Sequence, residues 1–218
     1  MLDLVLPLEC GGCGARSTRW CDTCARDLTV RPDEPHLISP RVDPGVPVFS
    51  LGRYAGPRRQ AIVAVKEHGR ADLVDPLACA LRGGLAHLLD WGVVAAPLTV
   101  VPAPTRRWAA RRRGGDPVAR VALAATAGRR GINVVQALRT RALVADSVGL
   151  SSSDRQRNIA GRVKVVRAVN GKLGESAGVT EVVVVDDVVT TGATACESVR
   201  VLRTAGLAVV AVLAIANA

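Results

Sequence analysis

Residues Val182-Val183-Val184-Val185-Asp186-Asp187-Val188-Val189-Thr190-Thr191-Gly192-Ala193-Thr194 constrain the fold of this chain more than any other stretch. Four consecutive β-branched residues suit a strand covered on both faces, as in a parallel sheet. Two adjacent acids follow, at the carboxyl end of that strand, where open α/β sheets bind ligands. Neighbouring carboxylates repel each other and resist burial, so Asp186 and Asp187 suit a polyol that donates hydrogen bonds, or a nearby cation. The turn Thr190 to Thr194 offers backbone N–H groups and hydroxyls to a phosphate at the start of a helix. The alternative is an ordinary strand, turn and helix with solvated acids. No Gly-x-x-x-x-Gly-Lys-Ser/Thr occurs, so the turn is not a Walker loop.

The 218 residues suffice for one α/β domain and a small appendage, and 49% hydrophobic content supports a sizeable core. Formal net charge is +10; of 29 basic residues only Lys66, Lys164 and Lys172 are lysine. Such a positive field attracts polyanions: a sugar diphosphate, a nucleotide or a nucleic acid. With three Trp, one Tyr and one Phe, stacking platforms for single strands are few, and phosphate recognition fits better than base recognition. Met1 to Pro7 has neither a positive n-region nor a long apolar core, and the apolar run Leu207 to Ala216 is too short to span a bilayer. A cytoplasmic location is therefore expected.

Four of the six cysteines fall as Cys10-x-x-Cys13 and Cys21-x-x-Cys24. Each pair forms a knuckle that aims two thiolates at one metal, and two pairs complete a tetrahedral, closed, structural zinc site. Residues 1–28 are read as a minimal zinc ribbon that draws its stability from the metal. A redox dithiol or disulfide pair is the alternative. Cys79 and Cys196, in predicted helices, are expected to be buried and inert.

Residues 29–47, rich in proline, are read as a linker, and 48–218 as the main domain. The expected elements are a strand Phe49 to Tyr54, helices Pro57 to Glu67, Leu73 to Leu89 and Asp116 to Ala127, and strands Leu98 to Val101, Ile132 to Leu138 and Arg162 to Val166. A short helix capped by Ser153-Asp154, the strand from Glu181, a helix Ala193 to Thr204 and a last strand from Leu207 complete the series. This alternation points to an α/β fold with a mostly parallel sheet and right-handed crossovers.

Three further segments carry chemistry. Val100-Val101-Pro102-Ala103-Pro104-Thr105-Arg106-Arg107 ends a strand in a loop backed by Arg111, Arg112 and Arg113, a candidate pyrophosphate clamp or a solvated basic face. Arg139 through Arg155-Gln156-Arg157-Asn158 is a long polar connection that could close over a ligand, or a plain surface loop. Lys66-Glu67-His68-Gly69-Arg70 ends a helix, where cations complement the dipole as readily as they contact a ligand. His36 and His87 have no assigned role.

The order of these segments is a four-cysteine knuckle, a Tyr-x-Gly strand, a Lys-x-x-Gly helix end, Val-Pro-x-Pro, Arg-Arg-Gly, Arg-x-x-Asn-x-x-Gly and the Val-Asp-Asp-Val turn. It resembles the ComF family, including GntX-type proteins, which are type I phosphoribosyltransferase-like proteins associated with DNA uptake in competent bacteria. The resemblance covers nearly the whole chain. It implies a parallel sheet of the type I phosphoribosyltransferase kind, with helices on both faces. It also implies phosphoribosyl pyrophosphate (PRPP) with Mg²⁺ as ligand. Asp186 and Asp187 would then hold the ribose hydroxyls, and Thr190, Thr191, Gly192, Ala193 and Thr194 the 5′-phosphate. Pro104, Thr105, Arg106, Lys66, Arg155 and Asn158 are candidate pyrophosphate or loop contacts. Gly115 stands where the family often has an aromatic or His, and Ser147 where Gln is common, so the acceptor side is not defined.

Three functions follow as expectations: a phosphoribosyltransferase with an unknown acceptor, a PRPP-binding protein without turnover, or a competence factor acting on single-stranded DNA. In the first, position and charge stabilisation would carry the chemistry, with no covalent nucleophile. Wider relatives suggest a homodimer.

Overall fold

The computed structural model describes residues 8–104, 115–140, 163–166 and 180–218. Its strands are β1 (His36–Ile38), β2 (Val48–Ser50), β3 (Leu98–Pro102), β4 (Ile132–Val134), β5 (Leu138–Thr140), β6 (Val163–Val165), β7 (Glu181–Val189) and β8 (Val209–Asn217). The helices are α1 (Asp22–Leu28), α2 (Gly56–Glu67), α3 (Val74–Asp90), α4 (Pro117–Thr126) and α5 (Ala193–Thr204), with a 3₁₀ turn at Ala71–Leu73. Six strands form one sheet in the order β1-β2-β8-β7-β3-β4. Every pairing is parallel except that of β1 with β2. The α/β class and the mostly parallel sheet are thus as the sequence implies.

The valine run of β7 is buried on both faces, and its period of two divides it between two cores. Val183 and Val185 face a core built with α2, α3 and α4. Val182 and Val184 face a second core with α5 and the β5–β6 pair. Helix starts follow local chemistry. Asp116 caps α4, its side chain accepting from the N–H groups of Val118 and Ala119, with Pro117 in the first turn.

Several elements differ from expectation. The strand expected over Ile132 to Leu138 is two short ones. β4 joins the main sheet beside β3, and the chain then turns so that Leu138 starts β5, which pairs antiparallel with β6. Residues Asn133 to Ala137 lack the apolar alternation that would hold one straight strand in register. The strand expected over Phe49 to Tyr54 stops at Ser50, because Gly52 and the Ser50 hydroxyl build a turn. Residues 29–47 supply an element the sequence reading lacks, edge strand β1, whose three residues are too few to show periodicity. Cys79 is exposed and Cys196 half-buried, because each lies off the apolar stripe of its helix. No helix among the described residues is long and apolar enough to cross a membrane.

Leu213, in β8, is fully buried in the larger core, whereas Leu123 on α4 is 49% exposed. Leu213→Ala is expected to destabilise the fold by about 2–5 kcal/mol, and Leu123→Ala by less than about 0.5. Urea unfolding of the two variants checks this; equal losses would contradict the placement of the core.

Candidate functional site

The site grows out of unequal strand lengths. β3 stays paired with β7 only as far as Pro102 opposite Val185, whereas β8 accompanies β7 to Val189 opposite Asn217. Asp186 and Asp187 therefore lie inside β7 and not beyond its end, but they have passed the end of β3. The Ala103 N–H still donates to the Val185 carbonyl (2.7 Å), so Pro104 leaves the sheet at the level of the acids. The acids thus lack a β3 partner at the carboxyl edge of the sheet, the edge at which open α/β sheets bind ligands.

Asp187 is 8% exposed, and its Oδ2 lies 2.8 Å from Lys66 Nζ, at the end of α2. The two atoms are close without being aligned as a hydrogen bond, so the contact is chiefly one of charge. Burial alone would lower the Lys66 pKa. The Asp187 charge outweighs it, helped by Asp186 and by Tyr54, and the ammonium is held above its ordinary range. α2 reaches this point because its first turn is pinned to β8, where the Arg58 guanidinium donates to the Ile215 carbonyl (3.1 Å).

Asp186 accepts from the Asp187 backbone N–H at 2.8 Å. Burial and then the neighbouring Asp187 charge push its carboxyl well above the usual carboxylate range, more than that N–H bond and the Lys66 charge lower it.

The turn after β7 is shaped by Gly192, which has φ +83° and caps α5. A Cβ there would collide with the Val42 carbonyl oxygen and the Pro40 ring, and the Val42 N–H donates to Thr191 O (2.8 Å). Residues 40–42 thus brace the turn from outside, a contact that sequence patterning gives no sign of. Among the described residues, the N–H groups of Thr191, Gly192 and Thr194 have no acceptor, and that of Ala193 has only a long contact (3.4 Å) to the Thr191 hydroxyl. Free N–H groups at the positive end of a 12-residue helix make an anion cradle.

Lys66, Pro104, the acids and the turn are therefore brought to one edge of the sheet. Thr105, Arg106, Arg107, Arg111, Arg112, Arg113, Ser147, Arg155 and Asn158 lie outside the described residues. The antiparallel β5–β6 pair forms the base from which the expected long connection departs. Tyr54, carried by the turn after β2 with its N–H donating to Asn217 O (2.7 Å), lies close enough to Lys66 to act on its charge, a role that the Tyr-x-Gly segment did not reveal in the sequence.

The second centre is the cysteine cluster. The four Sγ atoms of Cys10, Cys13, Cys21 and Cys24 all lie within 4.8 Å of one another. The Cys10–Cys24 and Cys13–Cys21 separations are 3.7 and 3.6 Å. Four thiolates around one zinc at about 2.3 Å would be roughly 3.8 Å apart, so the spacing fits that ion. The N–H groups of Gly12 (3.5 Å) and Cys21 (3.4 Å) point at Cys10 Sγ. Burial raises the Cys10 pKa, but the N–H groups of Cys13, Gly12 and Cys21 outweigh it and bring the thiol down to about 6. Such N–H donors favour a thiolate, the form a metal requires. The cluster is compatible with structural zinc.

No family model matches the chain, and no curated protein matches it.

The raised Asp186 pKa has a sign. The folded state keeps this proton at a pH where the unfolded chain, with an ordinary carboxyl near 4, has lost it, so stability falls as pH rises from about 4 through the folded value. Asp186→Asn removes that penalty and keeps an acceptor for the Asp187 N–H. Its melting temperature is expected to exceed that of the wild type at neutral pH, with the gap closing towards about pH 4. Thermal unfolding across that range checks this; a lower melting temperature at neutral pH would contradict it.

Proposed function

We propose that this chain binds PRPP, as its magnesium complex, at the carboxyl edge of β7, and that it is a phosphoribosyltransferase-like protein of the ComF kind. One observation carries the reading. A single run of backbone joins two acids at the open edge of a parallel sheet to a glycine-capped turn with unused N–H groups at a helix start. A ribose 5-phosphate presents matching chemistry, with hydroxyl donors at one end and an anion at the other.

In this reading Asp186 and Asp187 accept hydrogen bonds from the ribose 2′- and 3′-hydroxyls. Thr190 to Thr194 hold the 5′-phosphate through N–H groups, hydroxyls and the α5 dipole. Magnesium arrives with the diphosphate. Phosphoribosyl transfer needs no covalent nucleophile: the acceptor attacks C1′, the C1′–O bond to pyrophosphate breaks with its electron pair, and the protein supplies position and charge. The same site serves a protein that binds PRPP without turnover; an acceptor distinguishes the two.

Cys10, Cys13, Cys21 and Cys24 would hold one structural zinc. With four thiolates the coordination is closed, so the metal supplies folding energy and no open position for substrate.

Calorimetry with Mg²⁺ and PRPP is expected to give one site per chain, weakened by at least about tenfold in Asp186→Asn/Asp187→Asn, the loss of roughly one charge-assisted hydrogen bond. Equal affinity in the double variant would sink the assignment. Pyrophosphate release with a panel of bases and amines then separates transfer from binding.

Purified protein is expected to hold one zinc per chain and to lose it in Cys10→Ser/Cys13→Ser. Chelation should lower the melting temperature without removing Asp187 or Lys66 from the rest of the fold. Metal-free protein with unchanged stability would overturn the zinc reading.

A further inference from the structure

We propose that Arg70, outside the cysteine motif and carried by the turn after α2, is a positioning residue of the cysteine centre: its guanidinium straps the two knuckles together and so governs how tightly the metal is held. The inference rests on the zinc reading of Cys10, Cys13, Cys21 and Cys24.

The two pairs of cysteines sit on separate pieces of backbone. The first knuckle closes on itself, the Cys10 N–H donating to Ala15 O (2.8 Å) and the Gly14 N–H to Cys10 O (2.9 Å). The second starts at Cys21, the N-cap of α1, where the Ala25 N–H donates to Cys21 O (2.9 Å). The Gly11 N–H donates across to Arg19 O (3.0 Å), and the Cys21 N–H points at Cys10 Sγ (3.4 Å). Arg70 spans this joint from outside. Its Nη2 donates to the carbonyl of Glu9, the residue before Cys10 (3.3 Å), and to that of Arg19, on the segment leading into Cys21 (3.4 Å). Its Nη1 also reaches Glu9 O (3.4 Å). The guanidinium is itself held. Asp72 accepts from its Nε (2.9 Å) and its Nη2 (2.7 Å), the Arg70 N–H donates to Ala64 O (3.1 Å), and the Leu73 N–H donates to Arg70 O (3.3 Å). A planar fork fixed in this way restrains both carbonyls at once, which the point charge of a lysine would not do.

Charge and order both favour a metal here. Four thiolates around one zinc leave a net charge of about −2, in a cluster where Cys10 and Cys24 are buried. A neighbouring cation offsets part of that charge. The Asp72 hydrogen bonds hold the Arg70 guanidinium above its ordinary range against the cost of burial, and the Asp72 charge and the Cys10 thiolate add to this. Without metal, the knuckles are free to separate, and that freedom is lost when an ion gathers the four sulfurs. A strap that keeps both segments in place beforehand lowers this cost, so it tightens binding and slows release. The strap is rooted in the main domain, 61 and 51 positions along the chain from the two carbonyls it binds. A segment too small to order itself thus takes its order from the turn after α2.

The test measures zinc affinity, by competition with a chromophoric chelator, on the full chain as wild type, Arg70→Met, Asp72→Asn, the double variant and Arg82→Met. Arg82 is the control. Its guanidinium also bonds two backbone carbonyls, Ala125 O (2.9 Å) and Ala124 O (2.8 Å), but these lie on α4. Arg70→Met is expected to bind zinc about tenfold more weakly and to release it faster, as when a group that orients a metal ligand is removed. Arg82→Met should lower the melting temperature and keep the wild-type zinc affinity. Asp72→Asn keeps the guanidinium and should weaken zinc less. The double variant should be no worse than Arg70→Met, because Asp72 acts through Arg70. With Co²⁺ in place of zinc, Arg70→Met should show the same thiolate-to-metal absorption bands as wild type, since all four sulfurs still bind; altered bands would mean a changed ligand set and would count against a positioning role. Unchanged zinc affinity in Arg70→Met, an equal loss in Arg82→Met, or additive losses in the double variant would overturn the inference and leave the zinc reading intact. Wild-type protein that binds no zinc would overturn both together.

Discussion

The candidate site depends on one constraint: β7 is longer than its neighbour on one side and equal to its neighbour on the other. Pairing with β3 ends at Val185, while β8 continues to Asn217. The backbone of Asp186 and Asp187 is thereby held straight by a full ladder on one flank and released on the other. Acids on a free loop would lose their geometry to entropy. Acids paired on both flanks would be buried between helices with no route for a ligand. The half-paired position gives rigidity on one flank and leaves the other without a β3 ladder, and the following turn inherits its placement from the same strand.

The electrostatic balance of the site follows from this placement. A carboxylate as enclosed as Asp187 is tolerated only when an opposite charge or donors replace water. Lys66 supplies the charge, and its cost of burial is offset by Asp187 and Asp186. Asp186 feels the same Lys66 charge more weakly and, among the described residues, makes no ion pair of its own. Burial and the neighbouring carboxylate raise its pKa, and the backbone N–H of Asp187 lowers it only in part. Two adjacent acids of unlike environment result, one charge-compensated and one strained towards neutrality. Destabilised groups of this kind concentrate at sites that interact with ligands, though structural networks also produce them.

How much of this could be read in the sequence depends on whether the cause was local. The valine run, the Asp116-Pro117 start of α4 and the extent of α5 follow from propensity, capping and period, and each was legible to within a residue or two. The cysteine spacing likewise predicts convergence of four sulfurs. By contrast, the Lys66–Asp187 contact joins residues 121 positions apart and depends on how α2 is anchored, which no window of sequence encodes. The brace of residues 40–42 on Gly192 was missed for the same reason: a segment of prolines carries no periodic signal, yet its backbone meets the turn directly. The division of 132–140 into two strands was missed because short apolar runs do not reveal where a chain leaves one sheet for another.

The cysteine cluster packs against the larger core through its neighbouring residues. A Cβ on Gly11 would strike Leu73, which is fully buried, and Leu28 of α1 lies within the larger core. Arg70 binds the carbonyls of Glu9 and Arg19 on either side of the first knuckle, four residues beyond Lys66. The chain has thus placed its least self-sufficient segment, one too small to fold on apolar burial alone, against the element that carries the cation facing Asp187. Loss of order in the knuckles would remove the two carbonyl acceptors of Arg70 and one wall around Leu73. The Arg58–Ile215 bond would remain to hold the start of α2 to β8. The support is therefore mutual: the cysteine cluster packs on Leu73 and supplies acceptors to Arg70, while α2 keeps an independent hold on the sheet through β8.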